Sequence, residues 1–265
     1  MVAYSGGVDS SYLGLIATQE LGAGALCITG ISPSVSKVQR DQAKQIAEKF
    51  GFNHETVETA EIDVPGYSAN PVNRCYFCKT ELYGKLAEVS AKRRIEVIVD
   101  GTNLDDMGDF RPGKKAAGEH GVRSVLAELG YTKQDIRDRS KAFRLETWDK
   151  PSSPCLASRI EYGLPVSIER LSKVEKGETI LRNLGFVEFR VRHHDALVRI
   201  EIAKGELENA LRQDVADKLS AEFQQLGFKY VTLDLTGFRS GAMNEVLPEA
   251  TKTRGTDSVK KKVGN

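Results

Sequence analysis

The sequence has no apolar run approaching the roughly 18 residues that cross a bilayer. Its start also lacks the basic-then-apolar design of a signal peptide, so a cytoplasmic protein is expected. Net charge of either sign is missing too: 38 Lys and Arg against 37 Asp and Glu leave +1. That gives no global pull toward nucleic acid or an acidic membrane, and any polyanion site must be a local patch. Cysteine is scarce, with four in 265 residues, which argues against a disulfide framework. The four histidines show no zinc-ligand spacing. What is present, 40% hydrophobic and 28% charged residues, is the composition of an ordinary globular protein, long enough for one large α/β domain or two modest ones.

Hydrophobic periodicity gives strands at Val2-Ala3-Tyr4, 25–30, 55–59 and 95–101. Helical patterns lie between them at 12–21 and 35–50. Strands alternating with helices imply a parallel, doubly wound sheet. The polar stretch from Asp105 to Gly121 has no clean period and reads as a surface loop. Thr132 with Asp135 three residues later opens a helix over 133–143 as a capping-box variant. After Pro151-Ser152-Ser153-Pro154 the pattern changes, with a new helix over 167–184. Leu184-Gly185-Phe186 and Leu226-Gly227-Phe228 then repeat one theme of helix, glycine cap and strand. The expected organisation is a nucleotide-type domain over 1–160, a smaller α+β module over 161–247 and a disordered, lysine-rich tail over 248–265.

Chemistry concentrates in three places. In the first, Ser5-Gly6-Gly7-Val8-Asp9-Ser10-Ser11 sits where a strand ends and a helix begins. Backbone N–H groups and the helix dipole converge there on an anion, most plausibly pyrophosphate. Gly6 and Gly7 admit oxygens that a Cβ would block, Ser5, Ser10 and Ser11 offer hydroxyls, and Asp9 can hold Mg²⁺. The lysine of a Walker loop is absent, which points away from phosphoryl transfer. In the second, Cys75 and Cys78 form C-x-x-C between Arg74 and Lys79 at the start of a helix, and Cys155 follows in P-C-L-A-S-R. Cationic neighbours and a helix N-terminus favour thiolates. Three such ligands with one open position suit an iron–sulfur cluster, while a redox pair or three unrelated thiols stay open. Cys27, inside an apolar strand, reads as core. In the third, Arg190, Arg192 and His194 alternate on one face of a strand opposite Val191, with Arg199 nearby. They form either a grip for phosphate and carboxylates or a solvated face.

Together with Gly101-Thr102-Asn103-Leu104-Asp105-Asp106, the glycine loop resembles the PP-loop ATP pyrophosphatases, which release pyrophosphate and leave an adenylate. Gly101 and Asn103 would then line the nucleotide. With D-F-R-P-G at 109–113, K-P-S-S-P-C-L-A-S-R at 150–159 and R-V-R-H-H at 190–194, the chain from Val2 to about residue 246 resembles the LarE family. Its members are ATP-dependent sulfur transferases that mature the nickel-pincer cofactor. The resemblance implies a PP-loop fold, ATP and Mg²⁺ as cofactors, and adenylation of a carboxylate of pyridinium-3,5-biscarboxylic acid mononucleotide. Sulfur then displaces AMP. Single-cysteine members surrender the sulfur of the thiol matching Cys155. Members with the extra C-x-x-C, like this chain, hold a 4Fe-4S cluster on Cys75, Cys78 and Cys155. The resemblance also implies substrate-binding roles for Arg159, Glu178, Arg190, Arg192 and Glu201, and a homo-oligomer. Only four residues precede Ser5, fewer than family members usually carry, and weaker nucleotide binding is expected from that. A tRNA thiolase would need a larger basic face, an amide-forming ligase would leave the cysteines idle, and a nucleotide sensor would release no pyrophosphate.

Overall fold

The computed structural model describes residues 1–108, 111–239 and 241–245. The expected disordered tail and the first two residues of the D-F-R-P-G motif lie outside the described residues. The described residues divide into two compact units, one from Met1–Tyr67 with Val72–Ser153, the other from Ser68–Pro71 with residues 154–245. The 68–71 segment is tied into the second unit by buried Asn70, whose Nδ2 donates to the carbonyls of Glu161 and Leu164 at 2.7 and 2.8 Å.

The first unit is built on a parallel sheet of β1 (Val2–Ala3), β2 (Cys27–Ile31), β3 (His54–Glu58) and β4 (Val99–Asp100), in the order β3-β2-β1-β4. Its helices are α1 (Val8–Leu21), α2 (Lys37–Lys49), α3 (Arg74–Arg93), α4 (Gly113–Glu119) and α5 (Lys133–Ala142). Side chains along β2 point alternately to two cores. Cys27 joins Tyr12, Ile46 and Ile136 of α1, α2 and α5, whereas Leu26 and Ile28 join Leu86 of α3 and Ala116 of α4. Both faces are therefore covered, as a parallel sheet requires, and the doubly wound α/β expectation holds. Cys27 is core as expected, and burial pushes its thiol up to about 11.

Two sequence expectations change. The 95–101 run enters the sheet only at Val99, because the Ile95 amide is spent on the Ser90 carbonyl (2.9 Å) where α3 ends. The stretch from Asp105 to Gly121 is not all loop: α4 lies within it and buries Ala116 and Ala117. Two alanines make too small an apolar face to register as a helical period.

The second unit holds α6 (Ile168–Asn183), β5 (Phe189–His194), β6 (Leu197–Ile202), α7 (Gln213–Gln225) and β7 (Tyr230–Leu233). Strand β6 is central, antiparallel to β5 and parallel to β7. Gly185 and Gly227, both at φ +91°, follow α6 and α7, the left-handed turn that the repeated L-G-F motif announces. Leu181, Val191, Ile200 and Phe223 fill the core between these elements.

Candidate active site

In the order β3-β2-β1-β4 the chain builds outward from β1 on one side and returns to pair with it on the other. The loops after β1 and β4 therefore flank a topological switch point, where open α/β sheets bind ligands. They meet closely here. A Cβ on Gly101 would lie 2.9 Å from the Ser10 amide nitrogen, so only glycine lets β4 end against the start of α1. Helix α1 begins after Gly7 with no side-chain cap, leaving first-turn N–H groups without an intrahelical partner. The loop is shaped by Ser10, whose Oγ accepts from the Ser5 amide at 3.2 Å, lies 3.0 Å from Ser5 Oγ and donates to the Gly7 carbonyl at 3.3 Å. Ser10 and Ser11 are buried, whereas Ser5 and Gly7 are exposed and Gly6 and Asp9 half-buried.

Gly6 adopts φ +72°, and a Cβ there would approach the Ala43 Cα of α2 to 2.7 Å. That neighbour is backbone and cannot swing aside. Gly6→Ala is expected to cost at least the ~1–2 kcal/mol of a left-handed residue. Thermal unfolding checks it.

Asp9 projects from the first turn of α1. Its Oδ1 accepts from Asn103 Nδ2 at 3.1 Å and its Oδ2 from Lys133 Nζ at 2.6 Å. Asn103 is itself fixed, its amide donating to Asp106 Oδ2 (3.2 Å) while its Oδ1 accepts from the Asp106 amide (3.1 Å). Burial raises the Asp106 pKa, opposed by Arg111 at 2.7 Å. Lys133 lies 124 residues beyond Asp9, and no motif in the sequence marks it as a partner. One signal was available: the Thr132 cap puts a lysine at the first position of α5, where the helix dipole disfavours a cation. Asp9 and Asp105, whose Oδ2 accepts from the Lys133 amide at 2.8 Å, compensate it.

Cys75 and Cys78 lie in the first two turns of α3, three residues apart and so on one helix face. None of the four cysteines is in a disulfide. Cys155, in the second unit, is half-buried and precedes a 3₁₀ turn over Leu156–Arg159. Its carbonyl is held by three donors: the Ser158 amide at 3.0 Å, Ser158 Oγ at 2.8 Å and Arg159 Nη1 at 3.1 Å. Within neither unit do the described residues place three or more His, Cys, Asp or Glu side chains to hold a metal ion. Cysteine thiolates are the usual donors to iron–sulfur clusters.

Two arginines of the second unit, Arg159 and Arg192, are buried. Arg159, 2% exposed, donates from Nε to Glu178 Oε1 at 2.8 Å. Arg192 meets Glu201 in a two-pronged pair at 3.0 and 2.9 Å, and Arg199 adds a third bond to Glu201 at 3.1 Å. Arg192 also donates to the Ser158 carbonyl at 3.3 Å, linking the pair to the Cys155 turn. Arg190 lies over the Phe238 ring, 4.7 Å from its centroid. Burial, then the like charge of Arg159, lowers its pKa to about 10. The charges of Arg159, Glu178, Arg192 and Glu201 all act on Arg190, so the five residues form one charged cluster.

A parallel sheet with a glycine loop at its switch point, followed by a smaller sheet, defines an α/β protein of the PP-loop type. No family model matches the chain. It is 34% identical over 250 residues to pyridinium-3,5-bisthiocarboxylic acid mononucleotide synthase of Lactiplantibacillus plantarum, covering 94% of this chain and 90% of that protein. The chain thus belongs to the LarE family, that of the synthase. It is also 43% identical to an uncharacterized protein of Synechocystis (93% of this chain, 92% of that one). A third relative, an uncharacterized protein of Methanocaldococcus jannaschii, is 32% identical (91% and 90%). Among the described residues no helix is long and apolar enough to cross a membrane.

Proposed function

We propose that the protein is an ATP-dependent sulfur transferase that adenylates the carboxylates of pyridinium-3,5-biscarboxylic acid mononucleotide and converts them to thiocarboxylates. Kinship with a synthase named for the bisthiocarboxylic acid product supports it. The observation that carries it is the uncapped start of α1 at the switch point, beside Asp9 and Lys133. The open helix end takes the phosphates of ATP. Asp9 would hold Mg²⁺ in place of the Lys133 ammonium, and that ammonium would be available to pair with phosphate oxygens in place of a Walker lysine. A substrate carboxylate attacks the α-phosphorus, and its bond to pyrophosphate breaks with the new charge held by the same groups. Arg190 and its neighbours bind the acidic substrate. A sulfur nucleophile then attacks the acyl carbon and AMP leaves.

Cys75, Cys78 and Cys155 would hold a 4Fe-4S cluster in this reading, and the cluster would supply the sulfide. The C-x-x-C pair on one face of α3 supports it. The three-donor hold on Cys155 supports a second reading in which its own thiolate attacks. There AMP leaves, and cleavage of the Cβ–Sγ bond with loss of the α proton yields the thiocarboxylate and dehydroalanine. Anaerobic purification with iron and sulfide analysis separates the two. About four irons per chain, lost in Cys75→Ala, is expected. An iron-free protein that loses the mass of one H₂S at Cys155 per turnover establishes the second reading instead.

Lys133→Met removes the exchanged cation. A charge-assisted bond is worth ~1.5–3 kcal/mol, so ATP affinity is expected to fall at least tenfold, with partial recovery in Lys133→Arg. Calorimetric titration with ATP·Mg²⁺ measures it, and unchanged affinity would remove Lys133 from the mechanism.

A further inference from the structure

We propose that the second unit carries a separate site for a small phosphate-bearing anion, built from the first turn of α6, Arg170, Lys173 and the ring of His193. The site is a cavity of about 180 Å³ lined by Ser167, Glu169, Arg170, Lys173, His193 and Asp195. That is smaller than the roughly 300 Å³ at which sites for drug-sized ligands begin, so it suits a phosphate group rather than a whole nucleotide.

His193 points to a ligand independently of the helix end. It is 2% exposed, yet neither ring nitrogen has a hydrogen-bond partner. Buried polar groups are seldom left so, because the lost hydration is not repaid. Packing edge-on against Phe228, with centroids 5.0 Å apart, fixes the ring without satisfying its nitrogens. Alternation along β5 sends His193 to the side of Val191, away from the Arg190 and Arg192 side. Burial, then the positive charges of Arg170 and Lys173, lowers its pKa to about 4. The ring is therefore neutral near pH 7, with one N–H to donate.

The remaining groups suit an oxyanion. Ser167 caps α6 by accepting from the Arg170 amide at 3.2 Å, while the N–H groups ahead of Arg170 lack intrahelical partners and the dipole favours negative charge. Arg170 donates to Asp195 Oδ1 at 3.3 Å, and Lys173 pairs with Glu169 Oε1 at 2.9 Å. Both carboxylates are surface groups, 71% and 76% exposed, and surface pairs of this kind are weak. An arriving phosphate can displace them into water and take both cations, with His193 donating a further bond.

The test uses the full chain with isotopically labelled histidine. Only four histidines are present, so the His193 ring signals can be followed while inorganic phosphate or ribose 5-phosphate is added at constant ionic strength. A saturable His193 shift is expected, its midpoint raised at least tenfold in Lys173→Met and in Arg170→Gln and unchanged in Arg190→Ala. Saturation by inorganic phosphate alone assigns the free ion, and saturation by both assigns the phosphomonoester group. An unresponsive His193 ring, or a midpoint unmoved in both α6 variants, overturns the site. Because the readout involves neither ATP nor sulfur, it stands or falls apart from the proposed function.

Discussion

Cys155→Ala is expected to abolish thiocarboxylate formation while pyrophosphate release continues. In the proposed mechanism the two half-reactions use different atoms. Adenylation would depend on the α1 helix end, Asp9 and Lys133, all in the first unit, whereas Cys155 would enter only when sulfur displaces AMP. Removing a nucleophile, or a ligand that presents one, commonly lowers turnover by three or more orders of magnitude. The substitution should leave the local fold intact, because the groups that fix the 3₁₀ turn act on the Cys155 carbonyl, not on its sulfur. Pyrophosphate release followed beside mass analysis of the product separates the steps. A Cys155→Ala protein that still makes thiocarboxylate would remove this residue from the sulfur path.

Glu201→Ala is expected to destabilise the second unit by about 3–5 kcal/mol, the usual cost of removing one partner from a buried ion pair. Glu201 is fully buried and accepts three bonds, two from Arg192 and one from Arg199. Its loss strands the 5%-exposed Arg192 guanidinium without a counter-charge. A fall in melting temperature of roughly 10 °C or more should follow, with Glu201→Gln milder because it keeps one acceptor oxygen. Because Arg192 also holds the Ser158 carbonyl, loosening the pair should slow sulfur transfer more than adenylation. Unchanged melting would mean that water, not Glu201, satisfies these arginines.

What the sequence made legible was local. The glycine loop, the capping box at Thr132, the C-x-x-C helix and the paired L-G-F turns each need only a few neighbouring residues, and each stands where the pattern puts it. Three features were not legible. Lys133 reaches Asp9 across the fold, and no period in the chain encodes that contact. Helix α4 hides because its buried face is two alanines. Arg159 and Arg192 read as candidates for solvent or substrate since arginine is rarely buried without a partner. Their partners Glu178 and Glu201 lie 19 and 9 residues away, so only the folded module reveals that these charges already serve each other and the Cys155 turn.

The most direct measurement is a single incubation of the purified protein with ATP, Mg²⁺, a sulfide source and pyridinium-3,5-biscarboxylic acid mononucleotide, with pyrophosphate and thiocarboxylate both quantified. One pyrophosphate should appear for each thiocarboxylate formed, and neither without the carboxylate substrate. Thiocarboxylate formed in the absence of ATP, or ATP cleaved to ADP and phosphate instead, would contradict the assignment.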